Sequence, residues 1–480
     1  MPGMHSTILQ FATVFSIFST AVAQTAYAND FVDPDYILAK NFSAQTGRAQ
    51  ATVVSWAKEL ASSGPWSVTN KPFAPASGDK HDYLSWAPYW WPDCSGVGNK
   101  TALTDQQIWV TCPYKSRDGQ FNPDVRLVNN VGDFQDFSEA VFYNSIAWAL
   151  GTADKDTFEA NAVRFLRAWF LDPDTKMNPN LKYAQVQRGP GSGIGSHTGV
   201  LDLKGIAKIT TGILILRKGG STAWTTDLDN QMVSWAKAYT SWLQSDPLAI
   251  DESESTNNHG TFYFNQLAAL KILANDMAGA KESTDKYFDG LYLAQIAANG
   301  DQPLESSRTR PYHYRAYNLA GMITNARLAK YADPSSTVWN KTTTASATIK
   351  SALDYSMTIS AAASGESAYA SELHPNVAAV ASVYGDADGK YLAYLKRESS
   401  TFITQPYILW NQPFAQNETS GVAPPTKQTS STSASKGTKS TSSTSKSSKP
   451  SSSSASRMGG VSVTLALGLV GVHCIFTSLL

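Results

Sequence analysis

Apolar residues recur at spacings of three and four along most of the chain, which is the pattern of amphipathic α-helices. Alternation of apolar and polar residues, as in a half-buried strand, is rare. Clusters of Gly, Pro and Asp separate the periodic stretches and mark loops. The helices predicted in this way span Phe137–Leu150, Phe158–Phe170, Gly205–Leu216, Met232–Leu243, Phe262–Met277, Tyr317–Tyr331 and Ile349–Ile359.

Helices of this length joined by loops predict helical hairpins packed side by side, and therefore an all-α protein. A solenoid and a closed toroid would both show such a pattern. The chain contains no repeat of the fixed period that solenoids show. We therefore predict an α/α toroid, an incomplete helical barrel built from helical hairpins.

The first 28 residues have the features of a secretory signal peptide. They contain no Lys, Arg, Asp or Glu, and an apolar stretch runs from about Ile8 to Val22. The small residues Ala26 and Ala28 fit a signal-peptidase site. A retained membrane anchor is the alternative, although the apolar stretch is short for a span. We predict a signal peptide over residues 1–28 and a secreted protein.

The C-terminal region changes composition twice. Residues 424–457 are mostly Ser, Thr and Lys with no aromatic residue, which predicts an extended, O-glycosylated stalk. A small-residue cluster from Ser451 to Ala455 then precedes an almost wholly apolar tail over residues 458–480. That order is typical of a GPI-anchor signal whose tail is removed, and a retained transmembrane helix is the alternative. We predict a toroid domain over residues 29–423, anchored through GPI to the membrane at the cell surface or wall.

The charge of the predicted domain limits its partners. Six of the 39 Lys and Arg residues fall in the C-terminal region, which leaves 33 against 39 Asp and Glu, a net charge of −6. A negative body argues against a nucleic-acid partner. It does not exclude an acidic polysaccharide, because local cationic patches decide such binding. We expect a monomer that uses no cofactor and no metal.

Cysteines and sequons fit a secreted protein. Cys94 and Cys112 are predicted to form a disulfide. Two cysteines without nearby paired histidines lack the ligands of a zinc site. Sequons of the form Asn-x-Ser/Thr predict N-glycans at Asn41, Asn99, Asn340 and Asn417.

Two polar segments carry residues that one reaction needs together, TNNHG at 256–260 and RTRPYHYR at 308–315. Removing the proton at C5 of a uronic acid requires a base and donors that hold the neighbouring carboxylate. Asn258 can donate to that carboxylate, and an arginine can pair with it through two parallel hydrogen bonds. His259 can accept a proton near neutral pH. The remaining candidates are Arg308 or Arg310 for the arginine, and Tyr312, Tyr314 or Tyr317 for a tyrosine that moves a proton. Tyr312 and Tyr317 are also predicted to contact substrate.

An aromatic-rich stretch from residue 80 to 92 reads KHDYLSWAPYWWP. Aromatic faces on a loop can stack on the apolar faces of sugar rings, although core packing is the alternative. We predict that His81, Tyr83, Trp90 and Trp91 contact substrate.

A glycine-rich loop over residues 185–198 reads QVQRGPGSGIGSHT. It lacks the Lys-Ser/Thr ending and the preceding strand of a phosphate loop. We predict a mobile loop that contacts sugar through Arg188 and His197.

Four segments together resemble the alginate lyase-like superfamily of polysaccharide lyases, in its fungal-type secreted, GPI-anchored branch. They read KHDYLSWAPYWWPDC (80–94), RAWFLDPDTKMNPNL (167–181), STNNHGTFYFNQ (255–266) and PLESSRTRPYHYRAYNL (303–319), and they span about residues 80–330. The resemblance implies an α/α toroid and a metal-independent β-elimination on a uronate-containing polysaccharide. Related branches cleave mannuronan, guluronan or glucuronan, so the uronate stays open.

The resemblance also assigns roles. The family's Asn-His pair corresponds to Asn258 and His259, and the frame Tyr-x-x-Tyr-x-Leu fits YRAYNL (314–319), which makes Tyr314 the family's tyrosine. The family's arginine lies seven positions earlier, where this chain has Ser307, so the arginine is Arg308 or Arg310. The neighbouring pair Tyr312-His313 gives a competing register.

The mechanism sets further expectations for these side chains. Each donor aimed at the developing charge is worth roughly 3 kcal/mol. Nearby arginines are expected to lower the pKa of Tyr314, which would take the C5 proton or return a proton to the leaving oxygen. His259 is the other candidate base.

Two other classes compete. The first is a non-catalytic cell-wall protein, which would bind glycan without turnover. The second is an inverting glycoside hydrolase, which would need two carboxylates about 6.5–9.5 Å apart; the candidates are Asp118, Asp133, Asp136, Glu139, Glu252 and Glu254.

Arg308 also has a purely structural alternative. It could form a surface ion pair with Glu305, three positions earlier.

Overall fold

A computed structural model describes residues 30–99 and 102–411. The predictions for residues 1–28, 424–457 and 458–480, and the sequon at Asn417, lie outside these ranges. In the described part of the chain, helices dominate and two short strands form one small sheet, so the all-α prediction is confirmed. No helix within these ranges is long and apolar enough to cross a membrane.

The helices and strands are numbered here in chain order. The strands are β1 (Trp90–Pro92) and β2 (Tyr114–Ser116). The α-helices are α1 (Pro34–Ala39), α2 (Gly47–Ser63), α3 (Asp105–Thr111), α4 (Asn130–Leu150), α5 (Lys155–Leu166), α6 (Ile206–Lys218), α7 (Thr226–Ser245), α8 (Pro247–Ser253), α9 (Asn258–Leu273), α10 (Met277–Phe288), α11 (Tyr292–Gln295), α12 (Pro303–Ser306), α13 (Pro311–Ala332), α14 (Ile349–Ser356), α15 (His374–Tyr384), α16 (Lys390–Glu398) and α17 (Tyr407–Trp410).

The longer helices close into a ring. Helix α4 packs against α2, α5 and α6, and α6 packs against α9. Helix α9 in turn contacts α10 and α13, and α13 contacts α15. Helix α17 then contacts both α15 and α2, so the last helix of the ring packs against one of the first. The arrangement is the predicted α/α toroid.

Inner and outer helices differ in what they bury. Helices α4, α6, α9 and α13 are buried on nearly every side, as expected for the inner layer of a toroid. Helices α2, α5, α7 and α10 bury one face and expose the other. Some amide side chains inside the ring donate to backbone carbonyls; the Asn265 side chain donates to Gly321 O at 3.0 Å and Gln266 to Val200 O at 2.8 Å. Such bonds remove most of the cost of burying an amide.

The β1–β2 hairpin forms an arm of the toroid beside the ends of α9 and α13. Trp90 pairs with Ser116 and Trp91 with Lys115. The Cys94–Cys112 disulfide joins the two segments just beyond the strands, with Cα atoms 4.9 Å apart. A two-stranded sheet is marginally stable alone, so the disulfide is expected to hold this arm in place. The sequons at Asn41, Asn99 and Asn340 are exposed, and their glycosylation stays a prediction.

Replacing both cysteines by Ser should destabilise the arm by roughly 3 kcal/mol in the loop-entropy model. Thermal unfolding of Cys94→Ser/Cys112→Ser tests this, with reduced parent protein as the comparison. Unchanged melting would show that the two strands hold their place without the disulfide.

Candidate active site

One pocket of about 200 Å³ collects most of the predicted catalytic side chains. The first turns of α9 and α13, the hairpin arm and the glycine-rich loop form its walls. Its lining comprises Ala87, Pro88, Tyr89, Trp90, Ser116, Asp118, Gln185, Thr198, Leu201, Asn258, His259, Arg308, Tyr314 and Tyr317. A larger groove of about 610 Å³ is bordered by residues of α7 to α10 and contains none of the residues predicted for a lyase site. We therefore place the site in the smaller pocket.

Asn258 is positioned by the start of α9 and by a buried carboxylate. Asn257 caps the helix, since its side chain accepts from His259 N at 3.1 Å. Glu305 accepts from Asn258 N at 2.7 Å and from Asn258 Nδ2 at 2.6 Å, and both residues are buried. Burial raises the pKa of Glu305, although the bonds from Asn258 oppose the shift. The surface ion pair considered for Glu305 is therefore wrong, because this side chain is 1% exposed.

His259 follows on the first turn of α9 and is held by a second buried carboxylate. Its Nδ1 lies 2.8 Å from Glu252 Oε1. A Cβ atom at Gly260 would clash with Ser255 O, so the glycine allows the preceding loop to fold close against the helix. His197 also reaches Glu252, with its Nδ1 2.7 Å from Oε2. The glycine-rich loop thus contributes one histidine beside the pocket.

Arg308 lines the pocket and is fixed by Asp118. Its Nη2 donates to Asp118 Oδ1 at 2.7 Å and its Nε to Oδ2 at 3.3 Å. Burial alone would raise the pKa of Asp118, but the bonds and charge of Arg308 outweigh burial and lower it. The edge of the guanidinium that carries Nε and Nη2 is therefore occupied by the Asp118 carboxylate. Its carbon Cζ lies 3.9 Å from the ring centre of Tyr314, a close cation–π contact.

Tyr314 lies in the first turn of α13, and its hydroxyl oxygen is 3.1 Å from that of Tyr89. Burial raises the pKa of Tyr314 well above its usual range, Tyr89 adds to the shift, and Arg308 only partly offsets it. The expectation of a lowered pKa is therefore wrong. Removing the ring from water disfavours the phenolate more than one arginine favours it. Tyr314 is consequently protonated at neutral pH.

Tyr317 lies one turn further along α13 and also lines the pocket. Its ring packs edge-on against Phe262 with centroids 4.2 Å apart. Its buried hydroxyl has no hydrogen-bond partner among the described residues. Buried hydroxyls normally find a partner, so this group is available to one supplied by a ligand.

The aromatic-rich stretch divides between pocket and surface. Trp90 lines the pocket with its strand partner Ser116. Successive residues of a strand point to opposite faces, and Trp91 is not part of the lining. Instead Trp91 donates to Gln120 O at 2.8 Å and lies under Arg117 at 5.3 Å.

Two predicted residues of the Arg-Tyr segment lie outside the pocket lining. Arg310 donates to Gly119 O and to the Tyr369 hydroxyl, and thereby ties the start of α13 to the arm. Tyr312 is buried in the main core, where its hydroxyl donates to Ala370 O at 3.0 Å. Helical geometry turns Tyr312 away from the side on which Tyr314 and Tyr317 lie.

Two predicted substrate contacts are also corrected, and a third, at His81, lies outside the pocket lining and stays a prediction. Tyr83 is 0% exposed and donates to Asp202 at 3.2 Å, so it is a core residue. Arg188 is buried between Trp86 and Tyr114, at 4.3 and 4.6 Å from their ring centres, because aromatic faces accept its charge. His81 does not line the pocket, and its Nδ1 lies 2.6 Å from Lys176 O.

Sequence reasoning missed the groups that hold the predicted ones. Tyr89 belongs to the aromatic-rich stretch and could have been included there. Glu252 and Asp118 were considered only as hydrolase carboxylates, whereas here they bind histidines and an arginine. Glu305 gave no signal beyond its spacing from Arg308, because its partner Asn258 is 47 positions away.

A helical toroid with Asn, His, Arg and Tyr around one pocket is the architecture expected of a polysaccharide lyase. The alginate lyase family model matches residues 67–366, more than half of the chain. A solved structure described as an alginate lyase from Bacteroides ovatus has 26% sequence identity and a TM-score of 0.68, and the match covers 82% of this chain and 100% of that one. No curated protein sequence gave a significant match. The chain belongs to the alginate lyase family and is a polysaccharide lyase.

Proposed function

We propose that this enzyme breaks uronate-containing polysaccharides by β-elimination without a metal ion and leaves 4,5-unsaturated uronate ends. The convergence of Asn258, His259, Arg308 and Tyr314 on one pocket carries the proposal. The lining contains one carboxylate, that of Asp118, and Arg308 pairs with it. The pair of catalytic carboxylates that a glycoside hydrolase uses is therefore not the arrangement of this lining.

The protonation of Tyr314 favours a division of roles. His259 takes the proton from C5, the electron pair left behind forms the C4–C5 double bond, and the C4–O4 bond breaks. Tyr314, which is protonated at neutral pH, gives its proton to O4 of the leaving sugar. The resulting imidazolium and phenolate return to their starting forms by proton exchange with solvent. No water is added to the polymer.

Asn258 and Arg308 stabilise the charges that develop. One N–H of the Asn258 amide is bonded to Glu305, which leaves the second N–H as a donor for the substrate carboxylate. Arg308 is bound to Asp118 through Nε and one N–H of Nη2, so both N–H groups of Nη1 and the second N–H of Nη2 are left for substrate. Its stacking on Tyr314 also favours the phenolate that forms when this tyrosine has given up its proton.

A screen of polymannuronate, polyguluronate and glucuronan tests the proposal. Alginate polymers come first, because the solved neighbour is described as an alginate lyase. We expect the ultraviolet absorbance of a conjugated double bond to grow, and product masses to equal those of unsaturated oligouronates. Saturated products that carry an added water would show hydrolysis instead, and tight binding without products would indicate a glycan-binding protein.

Turnover should survive treatment with EDTA. In this proposal Asn258 and Arg308 meet the substrate carboxylate, which is the task that a bound cation performs in metal-dependent elimination. Initial rates before and after chelation, followed by dialysis, provide the measurement. Loss of turnover in EDTA with recovery on added calcium would contradict this expectation.

A further inference from the structure

A buried carboxylate joins two histidines behind the pocket. Glu252 on α8 is 0% exposed, and each of its oxygens meets a different imidazole. Oε1 lies 2.8 Å from His259 Nδ1, and Oε2 lies 2.7 Å from His197 Nδ1. Ser255 adds a longer hydrogen bond to Oε2 at 3.4 Å. Two stretches of the chain, residues 252–259 and the glycine-rich loop, therefore converge on one carboxylate that does not line the pocket.

The chemistry of a carboxylate determines which ring nitrogens carry protons. Burial alone would raise the pKa of Glu252, but the charge of His259 and the hydrogen bonds from both histidines outweigh burial and lower it. An ionised carboxylate only accepts hydrogen bonds, so both Nδ1 atoms must be donors. The nitrogen of His259 that is left to exchange a proton is Nε2. This is the atom that the proposed base needs.

His197 differs from His259 in its role beside Glu252. Its hydrogen bond to Glu252 raises the pKa of His197, and partial burial only partly opposes the shift. Its Nε2 lies 4.0 Å from Asp251 Oδ2, which adds a second negative neighbour. His197 can thus supply the positive charge that compensates Glu252. When His259 is neutral, His197 is the cation that remains beside the buried carboxylate.

We propose that Glu252 and His197 are positioning residues for His259. Glu252 fixes the ring orientation and the Nδ1–H tautomer of His259, so that Nε2 is presented as the proton acceptor. His197 compensates the buried charge and holds the second oxygen of the carboxylate. The inference rests on the proposed role of His259 as the base. The charged and titratable groups that face this cluster are Asp251 on α8, Glu305 on α12, and Asp118, Arg308 and Tyr314 around the pocket.

The substitution Glu252→Gln tests this role. An amide in place of the carboxylate keeps the shape but offers one acceptor and one donor, so it cannot accept from both imidazoles. Turnover should fall by at least about 10-fold, as for groups that orient a catalytic histidine. The Michaelis constant should change little, because Glu252 does not contact the pocket. Glu254→Gln, the same change at an exposed position two residues along, should leave turnover unchanged.

A double-mutant cycle with His259→Ala decides whether Glu252 acts through His259. We expect Glu252→Gln to slow the parent enzyme but to add little loss in the His259→Ala background. An equal loss in both backgrounds would overturn the inference while leaving the lyase mechanism intact. Full turnover in His259→Ala alone would instead remove His259 as the base, and the positioning role with it. The parent's unsaturated products identify a working lyase in either case.

Histidine titration by NMR tests whether Glu252 and His197 are coupled electrostatically. In Glu252→Gln the pKa of His197 should fall, because the anion that favours its charged form is gone. The His197→Gln spectrum assigns the signal. Should Glu252→Gln fail to fold, His197→Gln takes its place in the cycle, since this side chain is 38% exposed. A several-fold loss of turnover that disappears in the His259→Ala background supports the inference, and unchanged turnover overturns it.

Discussion

Tyr314→Phe should lower turnover by about 10²- to 10⁴-fold, the range that a positioned proton donor contributes. The hydroxyl is the only group removed, so the ring should still pack under Arg308. Loss of its contact with Tyr89 should cost about 1 kcal/mol of stability at most, because that contact joins two neutral hydroxyls. The affinity for polymer should change far less than the rate, since the proton is transferred only as the C4–O4 bond breaks. Initial rates of double-bond formation and thermal unfolding provide the two measurements.

Tyr312→Phe is the matched control for this experiment. Its hydroxyl donates to Ala370 O in the core, so its loss should lower stability and leave turnover near that of the parent. A well-folded Tyr314→Phe enzyme with near-normal rates would contradict the assignment. The role would then pass to Tyr317, which lines the same pocket and whose hydroxyl has no protein partner among the described residues.

Asn258→Ala is expected to lower turnover by about 10²- to 10³-fold, the effect of removing one donor from a developing oxyanion. The variant also leaves Glu305 Oε2 without its partner at 2.6 Å, which should cost about 1–3 kcal/mol of stability. Rates should therefore be measured well below the melting temperature of the variant. At such a temperature the variant is folded, so the loss of rate measures the loss of the Asn258 donor and not unfolding.

Asn258→Asp removes the amide donor but keeps the shape of the side chain. The side chains are nearly isosteric, but an aspartate would place a second carboxylate against Glu305 and face the substrate's own negative charge. We expect Asn258→Asp to be at least as slow as Asn258→Ala, and slower still at higher pH, where both carboxylates are ionised. Substantial turnover in either variant would remove Asn258 from the site.

The fold could be predicted because its helices bury apolar faces at regular spacing. Each predicted helix overlaps an observed one, but the starts differ where polar side chains enter the ring. Helix α9 begins at Asn258 and not at Phe262, because Asn257 caps it and Glu305 accepts from its first amide. The helix predicted over Phe158–Phe170 is an α-helix only as far as Leu166. The residues that follow, Arg167–Leu171, form a π-helical turn.

The sequence could group candidate residues only where they sit together in short motifs. Asn258, His259, Arg308 and Tyr314 lie in two segments a few residues long, and the structure brings them to one pocket, while their roles stay a prediction. The groups that hold them were not found, because their contacts join positions far apart; Asp118 and Arg308 are separated by 190 residues. The aromatic predictions failed at Tyr83 because composition does not distinguish a ring that faces the core from one that faces a pocket.

The closure of the helical ring has a consequence for handling the enzyme. The ends of the described body meet, since the Tyr36 hydroxyl donates to Leu409 O at 2.9 Å, and Phe31 and Trp410 line one cavity with Tyr331. Tyr331 lies in the last turn of α13 and Tyr314 in its first. With a rise of 1.5 Å per residue, the two positions are roughly 25 Å apart along the helix. A solid support coupled near either end of this body would therefore leave the pocket on the far side, open to long polymers.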